Sequence, residues 1–406
     1  MFTRIGAASA IACACTLALF PISATASPPR VQHAPTEVRL VTLEPIGFAG
    51  RMLITDSRIG KVLHTANGGQ VFGFDVDQNG ADGILAEAHD IPTGVAASVE
   101  TFDQVTATIT HTVVSTHSMD DFLAFGIAAS DVGLVEREHV ANNRVRRTWH
   151  VLNPVTGGSF TGTWTPPHAN DFLLQQLATN QVTQTSAVFG IDFTGRPMVF
   201  GTDVAANTFG PVIRLDPDKF SLGDQPQLAQ DTVHDLAVIA TSPDGGRVGG
   251  SVPLIQMVDL ATGAKSQFNG VAIPPFFSGY VNGFAVDSAT GIACTSTELD
   301  ADVEFYTLSD GSGFAVGLPG ANGNQFNSGE AVVNDPIHKL FLVVQPNGTV
   351  GPPGSAIDVF NEKGRLIKSV TGFQAFGITP QIAINPAART GFIMGPTPDA
   401  LTQFKY

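Results

Sequence analysis

The chain has 406 residues, 43% of them hydrophobic and only 14% charged, with a formal net charge of −15. That balance disfavours nucleic acid and anionic membrane surfaces as partners and suits solubility or a cationic ligand. Two of the three cysteines, Cys13 and Cys15, lie in the first fifteen residues, so the rest of the chain keeps Cys294 alone. No internal disulfide framework is expected there, and stability has to come from an apolar core.

Arg4 forms a short basic start, Ile5 to Phe20 is apolar, and Ala24-Thr25-Ala26 precedes Ser27. This is the order of a secretory signal peptide, with an apolar stretch too short for a comfortable membrane span. The expected organisation is a signal peptide over 1–26, a flexible leader over 27–36 and a single domain over 37–406, exported to the periplasm or the extracellular space.

From about residue 70 the chain repeats a unit of four short strands. Alternating Val, Ile, Phe and Thr are interrupted by Asn-Gly, Asp-Gly, Thr-Gly and Asn-Pro, which punctuate hairpins. No long segment keeps a helical period; only Asp171 to Leu177 suggests a short surface helix. Copies of the first strand are read at Gly73-Phe-Asp-Val-Asp77, Gly126-Ile-Ala-Ala-Ser130, Gly190-Ile-Asp-Phe-Thr194, Asp235-Leu-Ala-Val-Ile239, Gly283-Phe-Ala-Val-Asp287, Glu330-Ala-Val-Val-Asn334 and Gln381-Ile-Ala-Ile-Asn385. They are spaced 45 to 64 residues apart.

A second signature marks the hairpin between third and fourth strands: Val258-Asp-Leu-Ala-Thr-Gly263 and Val151-Leu-Asn-Pro-Val-Thr-Gly157, with looser versions at Phe102-Asp103, Leu215-Asp216, Leu308-Ser309 and Phe360-Asn361. The seventh unit ends at Tyr406 without a fourth strand. The segment from Arg51 to Asn67, with Lys61-Val-Leu-His-Thr-Ala as a strand, is the natural supplier. The expected fold is therefore an all-β, seven-bladed β-propeller of four-stranded blades, closed by pairing of N- and C-terminal strands, which removes exposed sheet edges.

On these Ala-Val-Asp and Val-Asp-Leu-Ala-Thr-Gly motifs, the region from about 50 to 406 resembles exported seven-bladed propellers of the YVTN-repeat, YncE-like kind, related in style to NHL and lactonase propellers. The resemblance implies architecture. Such propellers include binding proteins, lyases and lactonases, so function has to be argued from a site.

No cofactor is firmly implied. The most metal-like string runs from Asp75 through Asp77 and Asn79 to Asp82 and Gly83. Oxygen ligands at alternate positions around a glycine suit calcium, and the string resembles the loops of FG-GAP propellers and EF-hands. The plainer reading is a hairpin turn.

Aligned first strands place Gly73, Gly126, Gly190, Asp235, Gly283, Glu330 and Gln381 at one level of a central channel. Phe72, Phe125, Phe189, His234 and Asn282 stand just before the first five of them. Glycine is the default where strands crowd an axis, so Asp235, Glu330 and Gln381 are departures. With His234 and Asn282 they are expected to form a polar pocket opposite an arc of Phe72, Phe125 and Phe189, a usual way to build a ligand site.

The expected function is a binding or scaffold propeller, monomeric, recognising a small molecule or protein at the channel face. The alternative is a metal-dependent, lactonase-like or lyase-like enzyme. In it Asp235 and Glu330 would hold a divalent cation that polarises a carbonyl.

Overall fold

The computed structural model describes residues 59–406, except 93, 115–119, 130, 142–143, 167–171, 181–182, 193, 221–225, 243–251, 271–279, 298–301, 320–329, 346–354, 374, 376–380 and 396. The expected signal peptide and leader lie outside the described residues.

Seven antiparallel sheets are arranged as blades. Blade 1 consists of β2–β5 (Gln70–Val76, Asp82–Ile91, Gly94–Asp103, Thr108–Val114) and blade 2 of β6–β9 (Asp120–Ala129, Val132–Ala141, Arg144–Leu152, Phe160–Trp164). Blade 3 is β10–β14 (Phe172–Asn180, Thr185–Asp192, Pro197–Asp203, Thr208–Phe209, Ile213–Arg214). Blade 4 is β15–β18 (Gln227–Asp231, Leu236–Thr241, Leu254–Asp259, Lys265–Asn269). Blade 5 is β19–β22 (Val281–Asp287, Ile292–Thr297, Asp302–Thr307, Gly313–Gly317) and blade 6 is β23–β26 (Ala331–Asp335, Leu340–Gln345, Ser355–Asn361, Leu366–Phe373). Blade 7 takes β27–β29 (Ile382–Asn385, Thr390–Met394, Ala400–Lys405) from the C-terminus and β1 (Ile59–His64) from the other end of the described chain.

Closure follows the expected route. β1 pairs antiparallel with β29, bringing Val62 opposite Thr402, Leu63 opposite Leu401 and His64 opposite Ala400. The outer strand of blade 3 is split into β13 and β14, both paired to β12. Pro211 lies between them and has no N–H to give the ladder.

The core sits between blades. Among the described residues, buried apolar side chains gather into seven clusters, one at each blade interface. The 7/1 interface is typical: Leu63, Ala383, Phe392 and Leu401 meet Val71, Phe74, Leu85 and Phe102. The Phe392 and Phe102 rings cross edge to face, 5.1 Å between centroids, an arrangement worth about 0.5–1.5 kcal/mol beyond the area it buries. Second strands are covered on both faces by flanking blades, which is why β24 is buried along its whole length and reads as a continuous apolar run.

Three sequence expectations are corrected. Of the short helix expected over Asp171 to Leu177, the described Phe172 to Leu177 form instead part of β10, the innermost strand of blade 3, hydrogen-bonded to β11. The Gly190 and Asp235 segments run into second strands, β11 and β16, and the inner strands of blades 3 and 4 are β10 and β15. The outer hairpin of blade 3 turns at Asp203–Asn207, and Leu215 lies beyond β14. The cause is common to all three: the polar inner strands Phe172–Asn180 and Gln227–Asp231 are less apolar than the second strands behind them, so a search for apolar runs finds the wrong strand. Among the described residues the one helical element is a 3-10 turn at Pro217–Lys219, and none is a helix long and apolar enough to cross a membrane.

Candidate site at the central channel

The inner strands β2, β6, β10, β15, β19, β23 and β27 each turn into the second strand on the same face of the ring. Most of these turns begin on Asp or Asn, whose side chain accepts the backbone N–H groups that the turn would leave open. Asp231 accepts from Val233 and His234 N–H at 3.0 and 3.3 Å. Asp287 accepts from Ala289 at 3.0 Å, Asp335 from Ile337 and His338 at 3.0 Å each, and Asn385 from Ala388 at 3.0 Å. The last residue of the turn is left-handed: Asp235, Gly291, Lys339 and Arg389 have φ of 54°, 67°, 57° and 52°.

Toward this face the channel widens into a cavity of about 570 Å³. Its wall mixes apolar side chains, Ala229, Ala285, Val332 and Ile384 among them, with polar ones that include Asp75, Asn180, Gln230, Ser288 and Asn334. The size and mixture are those of ordinary small-molecule sites. Among the described residues Asp75 is the one carboxylate of the wall, and it also braces two blades. Its Oδ2 accepts the Ile127 N–H from blade 2 at 2.8 Å and its Oδ1 accepts the Val76 N–H at 2.8 Å. Burial nevertheless pushes its carboxyl up to about 6, and the Asp77 charge adds to the rise. Gly126 makes room for this contact, since a Cβ there would stand 2.7 Å from Asp75 Oδ2.

The expected site residues fall into separate places. Phe72 is a bulge residue where β2 begins, with nearly half its surface exposed. Gln381 clamps that bulge, its Nε2 donating to the Phe72 carbonyl and its Oε1 accepting from the Phe74 N–H, both at 3.3 Å. Asn282, a bulge residue of β19, donates to the buried Glu330 carboxylate of blade 6 at 2.5 Å. These four residues lie where inner strands begin, at the opposite end of the strands from the turns just described. Phe125 belongs to β6, and its side chain lies outside the described residues.

Phe189 is fully buried in β11 and stacks on Phe220, 5.6 Å between centroids, so it lines no channel. His234 is exposed on the turn face, its Nδ1 2.8 Å from Asp231 Oδ2. Asp235 is the left-handed closing residue of its turn, equivalent to Gly291, Lys339 and Arg389, and it lines a 350 Å³ cleft with residues of blades 3 and 4. His234 and Asp235 therefore do not converge with Glu330, because they follow β15 whereas Glu330 precedes β23. In the first hairpin Asp77 is buried and accepts the Asn79 N–H at 2.8 Å, while Asp75 faces blade 2. Among the described residues no three His, Cys, Asp or Glu side chains are grouped to hold a metal.

Asn180, Gln230 and Asn334 were missed. The signal that would have found them is the Asp or Asn that closes six of the seven inner strands, at positions 77, 180, 231, 287, 335 and 385, which marks strand ends better than apolar runs do.

No protein-family model matches the chain, and no curated protein matches it. Solved structures do. A chain of the "Structure of U3-55K" is 12% identical with a TM-score of 0.56, over 87% of this chain and 99% of that one. The "Crystal structure of RRP9 WD40 repeats" is 13% identical with a TM-score of 0.56, over 86% and 98%. A chain of the "Crystal Structure of Mitotic Checkpoint Complex" is 11% identical with a TM-score of 0.57, over 93% and 99%. At this identity the likeness is one of fold, and the chain is a seven-bladed β-propeller with WD40-type neighbours.

Proposed function

We propose that this protein is an exported binding propeller of the YVTN-repeat, YncE-like kind, acting as a monomer in the periplasm or outside the cell, and that it takes a small ligand or a partner's segment in its central channel. The observation that carries the reading is the 570 Å³ cavity, with a wall of mixed apolar and polar side chains. The turn-side mouth is favoured over the strand-start end, because there Gln381, Asn282 and Glu330 spend their polar atoms joining neighbouring blades. A ligand with an apolar body and a few hydrogen-bonding groups fits the wall. Export rests on the basic, apolar and small-residue order of the first 26 residues.

The test is a small-molecule and peptide screen by thermal shift on the purified protein, followed by Val233→Trp. Val233 is exposed at the mouth, so the ring narrows the opening without entering the core. Binding that weakens tenfold or more, about 1.4 kcal/mol, in a folded Val233→Trp variant supports the channel. Undiminished binding places the site elsewhere.

A further inference from the structure

On the turn face the first residue past the third strand holds an equivalent place in several blades. Backbone bonds identify the position: the N–H groups of Gln104, Leu260, Leu308 and Tyr406 reach Ala81, Asp235, Gly291 and Arg389 carbonyls in their own blades, at 2.6, 3.1, 2.9 and 3.2 Å. Glu362, directly after Asn361 at the end of β25, holds this position in blade 6. In blades 1 and 7 that side chain reaches the Asp or Asn that starts the inner turn of the preceding blade. At the 7/1 joint Asn385 Nδ2 donates to Gln104 Oε1 at 3.2 Å. At the 6/7 joint Tyr406 hydroxyl donates to Asp335 Oδ2 at 3.0 Å, and His338 Nδ1 stands 2.8 Å from the same oxygen.

The 5/6 joint differs from these two. Asp287 of blade 5 meets Glu362 of blade 6, so an acceptor faces an acceptor. Asp287 is wholly buried. Its Oδ2 and Glu362 Oε1 are both shut off from solvent and have no hydrogen-bond donor. Where blades 4 and 6 carry His234 and His338, blade 5 carries Thr290, whose hydroxyl is 3.5 Å from the Asp287 carbonyl. Burial, with the Glu362 carboxylate beside it, pushes the Asp287 carboxyl above its ordinary range. Two facing carboxylate oxygens without a donor are strongly unfavourable unless a proton or a cation lies between them.

We infer that the joint between blades 5 and 6 binds a hard divalent cation, held by Asp287 Oδ2 and Glu362 Oε1 and completed by water on the half-buried Glu362 side. Two carboxylates with a partly retained water shell are the coordination that magnesium accepts, and calcium takes the same oxygen chemistry. The cation would pin two blades together and is independent of any ligand in the channel.

Thermal unfolding of the purified full chain tests this, first in EDTA and then with millimolar Mg²⁺ or Ca²⁺ as separate probes. The expected result is a midpoint raised by about 2 °C or more by at least one cation. Glu362→Gln should lose that response and unfold above the unsubstituted protein in EDTA, because its amide can donate to Asp287 as Asn385 does to Gln104. If that variant does not fold, Asp287→Asn keeps an acceptor for the Ala289 N–H and serves the same comparison. A midpoint that neither cation moves overturns the inference, the more so if acidification alone raises it, since a shared proton then fills the gap. An equal response in Glu362→Gln also overturns it, as the cation then binds elsewhere.

Discussion

Glu100→Gln should stabilise the protein above neutral pH and leave it nearly unchanged in mild acid. Glu87 and Glu100, fully buried in β3 and β4, together hold the segment that joins the closing strand β1 to blade 1. The Ala66 N–H donates to both Glu100 oxygens at 3.1 Å, the Gly69 N–H to Glu87 at 3.1 Å, and the Asn67 amide and Ser98 hydroxyl to Glu87 at 2.5 and 2.7 Å. Burial pushes Glu87 up, but these donors outweigh it and hold its carboxyl below the usual range. Glu100 has fewer donors, and burial followed by the Glu87 charge pushes it from 4.5 up to about 7.

A group whose folded pKa is raised contributes stability that is fully present below the unfolded value and lost as pH rises through the folded one. The window here runs from about 4.5 to about 7, and the difference corresponds to roughly 3 kcal/mol. Glutamine keeps an acceptor for Ala66, carries no charge and can donate to Glu87. Urea unfolding at pH 8 should therefore show a gain approaching ~3 kcal/mol, shrinking towards zero at pH 4.5. A gain of equal size at both pH values, or a loss at both, would refute the assigned carboxylate repulsion.

Leu63→Ala should cost about 2–5 kcal/mol, because Leu63 lies buried opposite Leu401 where the ring closes; Val62→Ala, on the exposed face of the same strand, is the control for the urea midpoint. Gly126→Ala forces a side chain into φ 139° and against Asp75 Oδ2, a strain of about 1–3 kcal/mol. Gly162→Ala, with open space at its Cβ, should stay within about 0.5 kcal/mol. Cys294 is fully buried and burial pushes its thiol well above the ordinary range, so iodoacetamide at pH 8 should label it only after unfolding in urea, followed by mass spectrometry. Labelling of the native protein at the unfolded rate would contradict the packing at the interface of blades 5 and 6.

Blade number, strand content and the manner of closure were legible in the sequence. Each blade repeats the same local chemistry, with alternating β-branched and aromatic residues and Asp or Asn turns, and local chemistry is enough to count repeats. The missing outer strand of the last unit even pointed to the segment around Lys61, which pairs with β29 as expected. Strand rank within a blade was not legible in blades 3 and 4. Inner strands such as Gln227–Asp231 border the channel and tolerate Gln, whereas second strands such as Leu236–Thr241 are sandwiched and stay apolar, so burial, which only the closed ring assigns, inverted the alignment.

The site shifted for the same reason. Asp235 reads from sequence as a departure from an axial glycine, but in the ring it closes a turn beside blade 3, and Glu330 is spent on Asn282. What only the tertiary structure decided is which face of the channel opens into a cavity, which polar side chains are consumed in joining blades, and that Asp287 meets Glu362 across a joint. Each is a contact between residues tens of positions apart, set by the ring's curvature and invisible to any single repeat.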